Sequence, residues 1–447
     1  MGGMTFGGEV AVVGLGRSGL AATRLLRHDS VAVYASDSGR GPSLEATATV
    51  LRALGATADI GNHDLERICR ASALVLSPGV PPDAAPVMAA RAAGVPVLAE
   101  AELGLRALGT AVRFVAVTGT NGKTTTTSLV AHILTTAGVR TRAVGNIGTP
   151  VSEIALSADR PAVLAVELSS FQLHDMPTLR PTVGVLTNLA PDHLDRYPTV
   201  DAYYSDKMRL FANATPDSGW VINADDPVSA ERIGNPKGRR RRFSTGIRTD
   251  GWYDREQDRL MLGDVELVRR SRFPLLGDHN VANALAAALA VHMLGTSVAA
   301  ITRGLETAPR LAHRLEPIRE VREVLWINDS KATNISSTEV AVAAMQRPFV
   351  LLLGGRHKGE PYGRLAPLLG LCRAVIAFGE ARPLIVRDLG AAGRVEEATT
   401  FEDVVRLAAM NTIPGDAVLL SPACSSYDMF DNYEQRGARF RALVEAM

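Results

Sequence analysis

Residues 118–127 read Thr118-Gly119-Thr120-Asn121-Gly122-Lys123-Thr124-Thr125-Thr126-Thr127, directly after the apolar run 114–117. A β-branched run that feeds a glycine turn, a lysine and then hydroxyls has the layout of an anion-binding turn. Its backbone N–H groups point at the anion, and the helix that follows adds the positive end of its dipole. Lys123 supplies a point charge suited to β- and γ-phosphates, and the Thr124 hydroxyl suits Mg²⁺. The turn is shorter than the general phosphate loop, because Val117 stands where that pattern has its first glycine.

A second glycine cluster, Gly14-Leu15-Gly16-Arg17-Ser18-Gly19, follows the run 10–13, and Asp37 ends the next apolar run. This is the dinucleotide-binding fingerprint in its structural setting. The glycines permit a tight turn and a close approach of a pyrophosphate to a helix start. The pattern suits a nicotinamide dinucleotide and a nucleotide sugar equally. Ser77-Pro78-Gly79 ends a later run and belongs at the same sheet edge.

Between these signals lie further groups with chemistry. Glu167 ends the run 163–166, and a carboxylate at the carboxyl end of a parallel strand beside a phosphate loop is where Mg²⁺ is held. His193 sits in Thr187-Asn188-Leu189-Ala190-Pro191-Asp192-His193-Leu194-Asp195, after the run 183–186, and so emerges at the same edge. Lys207 falls on the helix that follows. Asn280 and Asn283 are one turn apart at a helix start, placed to read an adenine edge or to cap the helix. Gly145-Asn146-Ile147-Gly148 is a glycine-flanked turn with an amide, suited to a sugar or amide ligand.

Such groups need sheet edges to present them. In the first hundred or so residues, runs 10–13, 31–34, 74–76 and 95–98 read as strands, and 20–26 and 44–54 as helices. The segment 100–108 starts the next unit. A second block runs from 114–117 through 163–166 and 183–186 to helices at 281–294 and 298–307. A third follows Pro309, with strands at 324–327, 349–353, 375–378 and 418–420. Strands alternating with helices imply mostly parallel sheets. A chain of 447 residues has the natural size of three domains.

The bulk composition narrows the class. Hydrophobic residues make up 46% and charged residues 21%, enough for globular cores. With a formal net charge of +1, nothing in the balance argues for nucleic acid or an anionic membrane as a partner. The basic run 237–242 reads as a solvated loop or strand edge. Cys69, Cys372 and Cys424 are far apart and form no C-x-x-C pair, which fits a reducing, cytoplasmic compartment without a disulfide framework or thiolate zinc site. The first residues lack the features of a signal peptide, and no apolar run reaches the ~18 residues of a membrane span.

Together these strings resemble the Mur ligases of peptidoglycan synthesis, most closely the branch that adds D-glutamate, and the resemblance covers the whole chain. The loop at 119–125 is shared with the folylpolyglutamate synthetases. The glycine fingerprint with Ser77-Pro78-Gly79 narrows the choice to members with a dinucleotide-type first domain. Asn328-Asp329-Ser330-Lys331-Ala332-Thr333-Asn334, Gly354-Gly355-Arg356-His357-Lys358-Gly359, Ser421-Pro422-Ala423-Cys424-Ser425-Ser426 and Asp431-Asn432-Tyr433-Glu434-Gln435-Arg436-Gly437 look specific to the D-glutamate branch. The Asp-Asn-Pro-Arg string of the diaminopimelate- or lysine-adding ligase does not occur.

The resemblance implies an α/β fold in three domains: a Rossmann-like first domain (1–103), a central phosphate-loop ATPase domain (104–309) and a Rossmann-like last domain (310–447). It implies an ATP-dependent amide bond, made through an acyl phosphate on UDP-N-acetylmuramoyl-L-alanine that D-glutamate then attacks. By the same resemblance, Gly119, Thr120, Asn121, Gly122, Lys123, Thr124, Thr125, Asn280, Asn283, Arg314 and Asp329 hold ATP. Thr124 and Glu167 hold one Mg²⁺; His193 and a carbamylated Lys207 hold a second. Lys331 closes over the phosphates, completing a catalytic set with Lys123, Glu167, His193 and Lys207. Gly14, Gly16, Arg17, Ser18, Asp37, Ser77, Gly79, Asn146 and His193 bind the nucleotide sugar. Thr333, Lys358, Ser426 and Tyr433 surround the incoming glutamate, with Tyr433 in place of the phenylalanine of the pattern. The implied protein is a monomer, with no nucleic-acid partner and no membrane insertion.

Two other readings stay open at this stage. One is an amide ligase of the same superfamily with a different amino acid. The other is a nicotinamide-dependent oxidoreductase built on residues 14–19 and Asp37, which leaves the phosphate loop, Glu167 and Lys331 without a role.

Overall fold

Three sheets form in the computed structural model, which describes residues 6–194 and 196–447; Asp195 and the first five residues lie outside the described residues. Contacts divide the chain into two compact units. Unit 1 holds the chain up to Leu189, Tyr204–Arg270 and Asn283–Glu306. Unit 2 holds Ala190–Tyr203, Ser271–Ala282 and Thr307–Met447.

In unit 1 the first sheet comprises β1 (Val10–Val13), β2 (Val33–Asp37), β3 (Thr57–Ile60), β4 (Ala73–Leu76) and β5 (Val97–Ala99), in the order β3-β2-β1-β4-β5. All its pairs are parallel. β1 and β4 are buried throughout, as central strands covered on both faces must be. The chain winds from β1 through β2 to β3 and then returns to β4 on the other side of β1. That reversal opens a crevice at the carboxyl ends of β1 and β4, where ligands bind in such sheets. The runs 31–34 and 95–98 shift to start at Val33 and Val97, because pairing with β1 and β4 sets their registers.

The second sheet, also in unit 1, comprises β6 (Arg113–Thr118), β7 (Thr141–Gly145), β8 (Val163–Glu167), β9 (Val183–Leu186), β10 (Gly219–Asn223), β11 (Arg239–Ser244), β12 (Gly251–Asp254), β13 (Arg259–Leu262) and β14 (Val265–Arg269). Its order is β14-β13-β12-β11-β10-β9-β6-β8-β7. β6 lies between β8 and β9, so the topological switch falls at the carboxyl end of β6. The meander β12-β13-β14 is antiparallel and was not visible as strands in the sequence. Its strands are four or five residues long and carry Asp254, Arg259, Glu266 and Arg269, which blur the apolar signal. Arg239, Arg240, Arg241 and Arg242 lie exposed on β11, ahead of Phe243 where β12 joins, so the basic run is a strand edge.

In unit 2 the third sheet comprises β15 (Glu316–Val321), β16 (Val324–Asn328), β17 (Phe349–Gly354), β18 (Cys372–Phe378), β19 (Val395–Glu397) and β20 (Ala417–Leu420). The order is β15-β16-β20-β17-β18-β19, parallel except for the edge strand β15. No helix among the described residues is long and apolar enough to cross a membrane.

One buried acid in unit 1 bears on how a functional turn is held. The helix Glu100–Leu108 packs on the helix Val151–Leu156, with Gly104 against the backbone of Val151 and Ser152. Glu100 is fully buried; one carboxylate oxygen accepts the Ser152 N–H at 2.6 Å and the other has no hydrogen-bond partner. This fixes the short helix just behind the turn that carries Asn146. Burial pushes the Glu100 carboxyl up, against the hydrogen bonds from Ser152 and Val151. A raised acid contributes stability at low pH that is lost as pH climbs past the ordinary glutamate value. Glu100→Gln does not titrate and keeps an acceptor for Ser152. Its melting temperature relative to the parent therefore rises from pH 5 to pH 8; a difference that stays constant across that range would show that Glu100 titrates as in the unfolded chain.

Candidate functional site

At the switch of the first sheet, a cavity of about 630 Å³ is lined by the turns after β1, β2 and β4 and by the turn after β7. The glycine fingerprint builds its floor. A Cβ on Gly19 would stand 1.9 Å from the Gly14 carbonyl oxygen, so only glycine lets the helix Arg17–His28 start this close to the strand end. Ser77 Oγ donates to the same Gly14 carbonyl at 2.6 Å. Asp37 accepts the Leu15 N–H and the Gly39 N–H, each at 2.8 Å. Both Asp37 oxygens thus hold backbone, while Gly14, Gly16, Arg17, Ser18, Gly79 and Asn146 line the space beside it. His63 also lines the cavity, with Nδ1 2.9 Å from Ser36 Oγ. It escaped the sequence reading because β3, which delivers it, has only four mixed residues.

At the switch of the second sheet, β6 ends in the phosphate loop and the helix Lys123–Thr136 begins. Gly122 has φ +83°, and a Cβ there would lie 2.3 Å from Asn283 Oδ1. The loop is held by the residues that follow β9. Thr187 Oγ1 donates to the Asn121 carbonyl at 2.6 Å, Asn188 Oδ1 accepts the Asn121 N–H at 3.0 Å, and the Asn188 carbonyl accepts the Thr120 N–H at 2.9 Å. Lys123 Nζ donates to the carbonyls of Gly119 at 2.9 Å and Thr120 at 2.7 Å. Lys207, only 1% exposed, donates to the same Gly119 carbonyl at 2.7 Å.

Glu167 ends β8 opposite Val117, next to this loop. It is buried, its Oε1 accepts the Asn146 amide at 3.0 Å, and its Oε2 has no hydrogen-bond partner. A buried carboxylate oxygen left open beside a phosphate loop suits a hard cation. Asn283 accepts from Thr126 Oγ1 at 3.2 Å and so serves the phosphate loop. Asn280 donates its amide to the Leu276 carbonyl at 2.7 Å.

Unit 2 gathers the remaining predicted residues. His193 has φ +55°, a left-handed backbone held by its N–H on Asp192 Oδ1 at 2.8 Å. Asp192, like His63, is a residue that sequence reasoning missed. It is buried, 3.8 Å from Lys358 Nζ, and accepts the Asn334 amide at 2.8 Å. Burial alone would raise its carboxyl; Lys358, His193 and Asn334 prevail and hold it at about 2. Asp329 shows the opposite balance. Burial pushes it to about 7, although Ser421 Oγ donates to it at 2.9 Å and the Leu315 N–H at 3.1 Å, with Arg314 and Arg436 near. Lys331 Nζ sits 5.0 Å from the Tyr433 ring centroid, a cation–π contact. Thr333 is half-buried and Ser426 buried. His193 belongs to unit 2, whereas Thr124, Glu167 and Lys207 belong to unit 1. No group of three His, Cys, Asp or Glu residues that could hold a metal alone occurs among the described residues.

Three stretches match protein families: 8–99 the MurD-like N-terminal domain of Mur ligases, 117–291 the Mur ligase middle domain, and 313–424 the Mur ligase glutamate ligase domain. The UDP-N-acetylmuramoylalanine--D-glutamate ligase of Anaeromyxobacter dehalogenans (strain 2CP-C) is 42% identical over 98% of this chain and 97% of that protein. The protein of the same name from Myxococcus xanthus (strain DK1622) is 39% identical over 99% of each. Among solved structures, UDP-N-acetylmuramate-alanine ligase of Thermotoga maritima shares the fold, with a TM-score of 0.64 at 18% identity over 98% of this chain and 99% of that one.

The phosphate loop yields a direct test. Gly122→Ala places a side chain in a left-handed conformation, at about 1–2 kcal/mol of backbone strain, and against Asn283. Binding of a fluorescent ATP analogue weakens at least about tenfold, while binding of a uridine nucleotide sugar is unaffected. Equal nucleotide affinity in parent and variant would remove this loop from the site.

Proposed function

The chain belongs to the Mur ligase family, and on that premise we propose that it joins D-glutamate to UDP-N-acetylmuramoyl-L-alanine with consumption of ATP, a step of peptidoglycan precursor synthesis. The observation that carries the reading is the set around one loop: Lys123 and Lys207 on the Gly119 carbonyl, with the open Glu167 oxygen beside them.

A carboxylate does not lose oxide to an amine at a useful rate. Attack of the substrate carboxylate on the γ-phosphorus gives an acyl phosphate and ADP. The glutamate amine then attacks the acyl carbon, loses a proton and expels phosphate. Fixed cations must meet the charge that develops on the transferred group. In this reading the backbone N–H groups of residues 119–125 and Lys123 hold the triphosphate, with Asn280, Asn283, Arg314 and Asp329 as its further contacts. Lys331 meets the phosphoryl group in transfer. Thr124 and Glu167 would hold one Mg²⁺, and His193 and Lys207 a second; bound magnesium screens the phosphate charge. A hard cation that takes one or two protein ligands together with phosphates needs no all-protein cage.

Lys207 is assigned as a carbamate. Two ammonium groups on one carbonyl oxygen repel each other, and the neutral amine of one can take up CO₂ and release a proton, which turns the like pair into an opposite pair. Gly14, Gly16, Arg17, Ser18, Asp37, Ser77, Gly79, Asn146 and His193 are assigned to the nucleotide sugar. Thr333, Lys358, Ser426 and Tyr433 are assigned to D-glutamate. We further propose domains at 1–103, 104–309 and 310–447, and a cytoplasmic monomer without a nucleic-acid partner.

Phosphate release in the presence of ATP and UDP-N-acetylmuramoyl-L-alanine is expected with D-glutamate alone from a panel of amino acids; equal release with another amino acid overturns the substrate assignment. Lys207→Ala loses at least about a hundredfold in kcat and regains part of it with acetate. Full activity without acetate would remove the carbamate.

A further inference from the structure

We propose that the Tyr362 hydroxyl positions the amino-acid subsite by tying the loop of Lys358 to the loop of Ser426. The inference rests on the reading above that Lys358 and Ser426 hold the incoming D-glutamate. Tyr362 is 1% exposed and opens the helical segment Tyr362–Leu371. Its hydroxyl lies 3.0 Å from His357 Nδ1 and 2.9 Å from Cys424 Sγ. His357 immediately precedes Lys358, and Cys424 stands just before Ser425 and Ser426. The same two loops meet once more through the Arg356 N–H on the Ser425 carbonyl at 2.9 Å. The Tyr362 N–H donates to Asp388 Oδ2 at 3.0 Å, which fixes the ring from the other end.

Residues 356–361 are thus held against the second loop by the Arg356–Ser425 backbone bond, by Ser425 Oγ donating to the Arg356 carbonyl at 3.3 Å, and by the Tyr362 bridge. Burial pushes the Cys424 thiol up to about 12 and the Tyr362 hydroxyl well above its ordinary value. Both stay protonated at neutral pH, so the bridge adds no charge to a subsite that must admit a dicarboxylate. A phenol serves both neighbours because its oxygen accepts while its hydrogen donates. A phenylalanine ring fills the same space but leaves the buried thiol without its partner and removes the one tether that reaches the loop beyond Arg356, at His357. Lys358 would feel this first, because the direction of residues 356–361 decides where its charge lies.

The test uses the full chain and steady-state kinetics with each substrate varied in turn. Tyr362→Phe raises KM for D-glutamate about tenfold and leaves kcat and the other two KM values within about twofold. Cys424→Ala shifts the same constant in the same direction, Cys424→Ser restores it, and the Tyr362→Phe/Cys424→Ala double variant is no worse than the larger single effect. An unchanged KM for D-glutamate in Tyr362→Phe, or an even loss across kcat and all KM values, overturns the proposal. If Tyr362→Phe does not fold, the Cys424 variants decide: equal KM values for Ala, Ser and the parent overturn it. Lys358→Met separates the two layers. Its failure to raise KM for D-glutamate overturns the subsite assignment itself. A raised KM there with no change in Tyr362→Phe overturns only the tether.

Discussion

The carbonyl oxygen of Gly119 accepts hydrogen bonds from two lysines, and much of unit 1 is arranged to bring them there. Lys123 comes from the first turn of the helix that continues the phosphate loop; Lys207 comes from the end of the helix Val200–Met208. Two lysine side chains share one acceptor, so the fold must hold both in place. Thr187 and Asn188, just after β9, fasten the loop. Asp206, next to Lys207, accepts from His174 Nδ1 at 2.8 Å and from Arg209 Nε at 3.1 Å, which pins the end of the lysine's helix. Charge assembled before the ligand arrives needs no reorganisation during reaction, which is where electrostatic catalysis gains most.

Unit 2 solves a similar problem with one buried cation. Arg436 is fully buried, and its donors reach Ser330 Oγ and the carbonyls of Ser330, Gly354, Cys424 and Ser425. Burial lowers its guanidinium to about 10, still far above neutral, so it remains charged and spreads that charge over carbonyl dipoles. Each of these carbonyls belongs to a turn at the carboxyl edge of the third sheet. The first turn leads into Lys331, the second into Lys358 and the third into Ser426. Removing the guanidinium leaves these buried acceptors unsatisfied, at about 1–3 kcal/mol for each such group. The three turns that carry Lys331, Lys358 and Ser426 therefore depend on one buried residue.

Much of this was legible in the sequence because parallel sheets write plainly. Central strands such as β1, β4, β8 and β9 are apolar on both faces, and the residues at and just after their ends fall at a carboxyl edge, so Gly14, Ser77 and Glu167 lie where their strands put them, whereas His193, expected at the edge of β9, belongs to unit 2. The rest was hidden for physical reasons. Asp192 looks ordinary in sequence; its partners Asn334 and Lys358 lie more than a hundred residues away. Tyr433 reads as an aromatic wall, yet its ring also carries Lys331. The strands β12 to β14 pair as an antiparallel meander whose polar residues erase the periodicity on which strand detection relies.

The glycine fingerprint shows how a strong motif can leave specificity open. Its acid and its hydroxyl partner are both taken up by the loop: Asp37 by the N–H groups of Leu15 and Gly39, Ser77 by the Gly14 carbonyl. A carboxylate so engaged is poorly placed to read a ribose, the role it has in nicotinamide enzymes. Discrimination then falls to the cavity wall that comes from another sheet, the turn of Gly145, Asn146, Ile147 and Gly148. Asn146 in that wall donates to Glu167, the acid beside the phosphate loop. A single amide thus joins the cavity wall to the buried carboxylate beside the phosphate loop. The fingerprint shapes the floor, while the link between the two sites runs through a residue the fingerprint does not contain.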